Sequence, residues 1–196
     1  MLRKIYALIF AATGILFSGI FSFPADANFS SLKCDMIVES PQIGRSEGRL
    51  FMKGDKSRIE LNASGIQTVT IVNDQNAYMY MPAQNVAMTM ALSQAKGQVP
   101  EITDYKKDCE YINDEQVDGE QCGVYRCSKG GQSTTMWIPA NLDFPLKVVS
   151  GATTTYYKNV NVNVDLDDSL FSLPQGVQYQ DVSGLMQGLK GFKGGN

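Results

Sequence analysis

Between Leu32 and Val164 apolar and polar residues alternate in short runs, each closed by residues that favour turns. Side chains on a strand point alternately to its two faces, so this period of two predicts strands with one dry and one wet side. Arg49–Met52 ends at Gly54-Asp55, and Arg58–Leu61 follows with charged and apolar residues in strict alternation. Ile66–Val72 is rich in β-branched residues and stops at Asn73-Asp74. Further strands are predicted at Ala77–Met81, Val86–Met90, Glu110–Val117, Gly123–Ser128, Thr134–Ile138, Leu146–Ser150 and Thr153–Val164. The pattern predicts a mainly β fold built on an antiparallel sheet. Ala91 to Asp108 breaks it. There β-branched residues thin out, and Leu92, Ala95 and Lys96 offer a helical turn before Gly97 and Pro100. Such long connections are typically functional or disordered. A short helix is expected at Asp168–Phe171, capped by Asp168 and stopped by Pro174-Gln175-Gly176.

The two ends read differently. Arg3 and Lys4 precede an apolar run from Ile5 to Phe23, and Pro24-Ala25-Asp26-Ala27 follows, the layout of a secretory signal cleaved near Ala27. The competing reading is an uncleaved anchor; Pro24 and the Ala-x-Ala site favour cutting. Charged Lys33 before Cys34 occupies a place that a lipidation signal would give to a small residue, so the mature chain is expected to be soluble in the periplasm. The expected organisation is a signal peptide at 1–27, one domain at 28–178 and a glycine-rich flexible tail at 179–196. In that tail Leu185, Leu189 and Phe192 have helical spacing, but Gly184, Gly188 and Gly191 weaken any helix.

Composition narrows the chemistry. At 196 residues the chain supports one domain, and it contains no histidine, which removes Ser-His-Asp and Cys-His groups and imidazole metal sites. A formal net charge of −3 does not suit a polyphosphate backbone, so no nucleic-acid partner is expected. The carboxylates are scattered through turns, and Asp165, Asp167 and Asp168 read as a solvated boundary rather than a calcium loop. No enzyme site emerges, and neither a cofactor nor a resident metal is expected.

Four cysteines remain, Cys34, Cys109, Cys122 and Cys127, an even count with no Cys-x-x-Cys pair. In an exported chain this favours two structural disulfides, with three pairings open. If Asp118-Gly119 turns a hairpin, Cys109 and Cys127 fall almost opposite each other, leaving Cys34 to reach Cys122.

The richest constellation is Tyr78-Met79-Tyr80-Met81-Pro82-Ala83-Gln84-Asn85-Val86-Ala87-Met88-Thr89-Met90. As a hairpin with Met81 opposite Val86, it sets Met79 against Met88 and Ala77 against Met90, so four methionines share one face. Methionine is unbranched and polarizable, and a wall of it can re-pack around apolar ligands of differing shape. The plain alternative is ordinary core filling. A third reading is a thioether site for monovalent copper, although a ladder spreads the sulfurs instead of converging them. Trp137, between Met136 and Ile138, is either buried packing or a place on an apolar wall.

Several segments in order resemble a known superfamily. Gly48-Arg49-Leu50-Phe51-Met52-Lys53 with Lys56-Ser57-Arg58-Ile59-Glu60 is similar to the early strand pair of the LolA/LolB-like carriers and receptors of outer-membrane lipoproteins. Val72 to Pro82 resembles their turn, aromatic strand and proline. Val117-Asp118-Gly119, Trp137-Ile138, Pro145-Leu146-Lys147 and Leu170 to Gly176 resemble later landmarks, nearest to a sister family of exported proteins without assigned function. The resemblance spans residues 32 to about 178. It implies a curved, incomplete antiparallel half-barrel with short lid helices over an apolar cavity that receives acyl chains. It places Met79, Met81, Met88 and Met90 on strands flanking the cavity and Leu92 to Lys96 at the start of a lid. The four cysteines and the glycine-rich tail depart from the carrier pattern. The resulting expectation is a monomeric periplasmic carrier for a hydrophobic ligand or lipidated protein. Its binding residues are Met79, Met81, Val86, Met88, Met90, Leu92 and Trp137. The alternative is an envelope interaction or sensor module on the same scaffold, with a protein partner.

Overall fold

The computed structural model describes residues 29–74, 76–91, 105–129 and 131–181. Strands β1 (Ser31–Ser40), β2 (Gly44–Lys53), β3 (Lys56–Ala63), β4 (Ile66–Val72), β5 (Asn76–Met81) and β6 (Val86–Ala91) come first. A short helix α1 (Tyr105–Asp108) follows. Next come β7 (Glu110–Val117), β8 (Glu120–Lys129), β9 (Gln132–Pro139), β10 (Lys147–Ser150), β11 (Thr153–Val162) and β12 (Gln178–Asp181). All the strands join one sheet in the order β12-β6-β5-β4-β3-β2-β1-β11-β10-β9-β8-β7. Neighbours are antiparallel except β12, which lies parallel to β6. The terminal strands β12 and β7 do not meet, so the barrel is incomplete, as expected.

The turns follow from their residues. Asp118-Gly119 joins β7 to β8 with φ of 50° and 87°, the left-handed pair that a two-residue hairpin turn requires. The chain reverses so that Val117 pairs with Glu120. Gly48 answers a different demand: a Cβ there would run into the carbonyl oxygen of Glu60 on β3.

One face of the sheet wraps a single core. Leu32, Met36 and Val38 of β1, Leu50 and Met52 of β2, and Ile59 and Leu61 of β3 meet Met136 and Ile138 of β9, Val148 of β10 and Tyr157 of β11 there. Phe144 fills the centre, its ring 4.9 Å from Tyr157 and 6.5 Å from Phe29, edge to face in both cases. The opposite face is covered over β4–β6 by the strand-free segment 163–177. Leu166, Phe171 and Val177 pack there on Val69, Ile71, Tyr80 and Ala87. Side chains of the sheet hold that strap by its backbone: Lys53 donates to Leu166 O, Arg58 to Leu170 O, Asn73 to Phe171 O and Asn85 to Gly176 O.

Three expectations need correction. Asp167, not Asp168, caps the 3₁₀ turn at Asp168–Phe171, its carboxylate accepting from Ser169 N at 2.8 Å. Asp168 instead faces Lys53 at 3.2 Å. β1 and β12 are not among the strands expected; β1 pairs with β2 and β11 in the middle of the sheet, and the backbone of β12 completes the edge of β6. Finally, only one disulfide forms among the four cysteines. Cys109 and Cys127 are bridged across the β7–β8 hairpin, as its turn predicts. Cys34 and Cys122 are free, buried thiols. The reason is geometric: Cys34 points from β1 into the main core, whereas Cys122 on β8 points to the other sheet face, against Val124 and Trp137.

Candidate functional site

The methionine hairpin has the register that its sequence predicts. Met81 pairs with Val86, Met79 with Met88 and Ala77 with Met90. Met79 is buried in the main core and Met88 packs against it half-buried; Met81 is buried and Val86 half-buried. Leu92 lies outside the described residues. Trp137 is not brought to this wall. It sits on the opposite face with Val117, Cys122 and Val124, while its neighbours Met136 and Ile138 enter the core. Its indole Nε1 donates to Glu115 Oε2 at 2.7 Å and Lys147 Nζ lies 4.1 Å from the ring centroid. That hydrogen bond, with a second from Asn113, holds the Glu115 carboxyl below its ordinary range.

The core has an opening on the half of the sheet away from the methionines. A cavity of about 480 Å³ lies between the β7–β8 turn, the loop after β9, the start of β10 and the middle of β11. Buried Pro139 and Tyr157, with Leu142, Leu146, Val160 and Val162, make its apolar lining. Leu142 and Val160 also pack against the main core, whereas Leu146 packs with Trp137 on the other face. Val162, 37% exposed, lies at the solvent edge of this lining. Asp118, Glu120, Asn141, Lys158 and Asn159 form a polar rim. The volume falls in the range of about 300–1,000 Å³ of small-molecule sites, and polar and apolar groups share its half-open lining almost equally.

The buried titratable groups nearby are locked neutral. Burial, reinforced by Asp35, pushes the Cys34 thiol up to about 12. Burial, with Cys34 alongside, raises the Tyr157 phenol well above its ordinary value. Neither is poised as a nucleophile or base near neutral pH. Among the described residues no group of three Cys, Asp or Glu side chains is placed to hold a metal ion.

The residues that line the cavity are not among the predicted site residues. The Asp118-Gly119 turn and the Pro145-Leu146-Lys147 landmark mark its borders in the sequence. The rest converge from segments some 40 positions apart (Asp118 and Lys158, for instance).

Residues 33–144 match the family described as Domain of unknown function (DUF4412). No curated protein matches the chain. Among solved structures, the chain is similar in fold to an uncharacterized conserved protein from Thermus thermophilus, at TM-score 0.61 and 11% identity, covering 79% of this chain and 91% of that one. The chain is also similar to the LolA superfamily protein NE2245 from Nitrosomonas europaea. There the TM-score is 0.36 and the identity 14%, over 83% of this chain and 97% of the other. MucB in complex with MucA(peri) is matched at TM-score 0.47 and 12% identity, over 86% of this chain and 60% of that one. Among the described residues no helix is long and apolar enough to cross a membrane.

Proposed function

From the premise that the chain belongs to the DUF4412 family of domains of unknown function, we propose that it is an exported, periplasmic binding protein that shelters an apolar chain from water without performing chemistry on it. The observation that supports this most is the cavity of about 480 Å³ opening from the apolar interior of an incomplete barrel, with exposed Val162 at its mouth. Each methylene buried there contributes about 0.8 kcal/mol. Set against the loss of freedom on association, a medium-length chain then binds on the order of micromolar. The pliable wall of Met79, Met81, Val86, Met88, Met90 and Leu92 is proposed to let the interior re-pack as a chain enters, which would make specificity loose. Trp137, on the other face, is left as a packing residue.

Two measurements test this. Native mass spectrometry of protein gently purified from its own host is expected to show a lipid-sized adduct. The uncharged dye N-phenyl-1-naphthylamine is expected to fluoresce on saturable binding, and Val162→Asp at the mouth is expected to weaken that binding about tenfold while leaving the fold intact. Absence of both adduct and dye uptake would end the carrier reading.

A further inference from the structure

The charges on the cavity rim do not cancel. Asp118 and Lys158 face each other across the mouth with Lys158 Nζ 3.3 Å from Asp118 Oδ2, so this pair is locally neutral. Asn159 Nδ2 is engaged by Asp35 Oδ2 at 2.6 Å. Glu120, exposed at the same rim, has a carboxylate with no ion-pair or hydrogen-bond partner among the described residues. Because Asp35 is held, among the described residues, only by the neutral amide of Asn159, the mouth carries two uncompensated negative charges, Glu120 and Asp35, in a chain whose formal net charge of −3 already disfavours anions at long range. An amphiphile that lays its chain on Leu142, Leu146 and Val160 leaves its head at this rim. A cationic head there meets Glu120 and Asp35 with attraction, and a carboxylate head meets them with repulsion.

We infer that the cavity selects single-chain amphiphiles with an ammonium head over anionic ones of equal chain length, with Glu120 and Asp35 as the residues that discriminate. This rests on the reading of the cavity as an apolar-ligand site, so the experiment separates the two. Dodecanol, dodecylammonium and dodecanoate are compared, below their micelle thresholds, as competitors of N-phenyl-1-naphthylamine on the purified full chain at neutral pH and low salt. Dodecylammonium is expected to compete about fivefold better than dodecanoate, the scale of exposed ion pairs, with the gap closing at high salt. Glu120→Gln together with Asp35→Asn is expected to bring the two to near equality. Adding Asp118→Asn leaves Lys158 without its carboxylate and is expected to reverse the preference, and Asn is at home in this left-handed turn position. Circular dichroism checks that both variants keep the fold. Equal competition by the two charged probes, or a preference that the double substitution leaves unchanged, overturns the inference alone when dodecanol still binds. Failure of the dye and dodecanol to bind overturns the inference together with the carrier reading.

Discussion

Cys34 occupies the middle of the sheet with its thiol turned into the core, and its chemistry is set by that position. Burial holds it protonated up to about pH 12 in the folded chain, whereas its ordinary value is 9.0. Below 9 the thiol is protonated in both states and its full contribution to stability is present. Above 9 the unfolded chain releases the proton while the folded chain retains it, so stability declines as pH rises through that window. Tyr157, raised by burial, acts in the same direction at still higher pH. The urea midpoint is therefore expected to fall on the alkaline side, with a shallower slope in Cys34→Ala. In the native protein, iodoacetamide is expected to leave both Cys34 and Cys122 unmodified, as mass spectrometry of the intact chain would reveal, and to reach them on unfolding. Two other residues give sharp tests. The hydroxyl of Thr70 is buried without a hydrogen-bond partner among the described residues, so Thr70→Val is expected to stabilise by about 1 kcal/mol in urea titrations. Gly48→Ala pushes a methyl into the Glu60 carbonyl and is expected to destabilise by about 2–3 kcal/mol.

At the level of elements, the β7–β8 hairpin shows how local sequence reaches tertiary consequence. The Asp118-Gly119 turn sets the register, and the register brings Cys109 to Cys127 with Cα atoms 4.4 Å apart. The bridge closes a separation of 18 residues, worth about 3 kcal/mol through restriction of the unfolded chain. It also ties α1 to β8, where the Tyr105 and Tyr125 rings meet edge to face at 4.8 Å. The pair Cys109→Ser and Cys127→Ser is expected to lower stability by that amount, read as a lower midpoint in thermal unfolding. The 3₁₀ cap shows the opposite case: acidic residues in sequence identified a helix start but not which carboxylate caps it. That choice fell to Lys53 and Lys56, which draw Asp168 away and leave Asp167 to bond Ser169 N.

Across the whole molecule, the open sheet must bury apolar side chains on both faces, and it does so with two different devices. Curvature closes one face around Phe144, and the strap from residue 163 to 177 covers the other over β4–β6. A chain ending at Val164 would leave Val69, Ile71 and Tyr80 uncovered. It is expected to bind anilinonaphthalene sulfonate and lose cooperative unfolding, which fluorescence and circular dichroism would detect.

The positions of β2 to β11, the hairpin turns, the methionine register and the Cys109–Cys127 bridge were legible because each depends on contacts between near neighbours in the chain, where alternation and turn chemistry act directly. The separation of Cys34 from Cys122, the move of Trp137 away from the methionines, the strap and the cavity at Tyr157 depend on which face each strand presents after the sheet curls, and on segments far apart in the chain. Local patterning says that a strand has a dry side. Only the closed packing of all twelve strands decides what that side is dry against, and where room is left over.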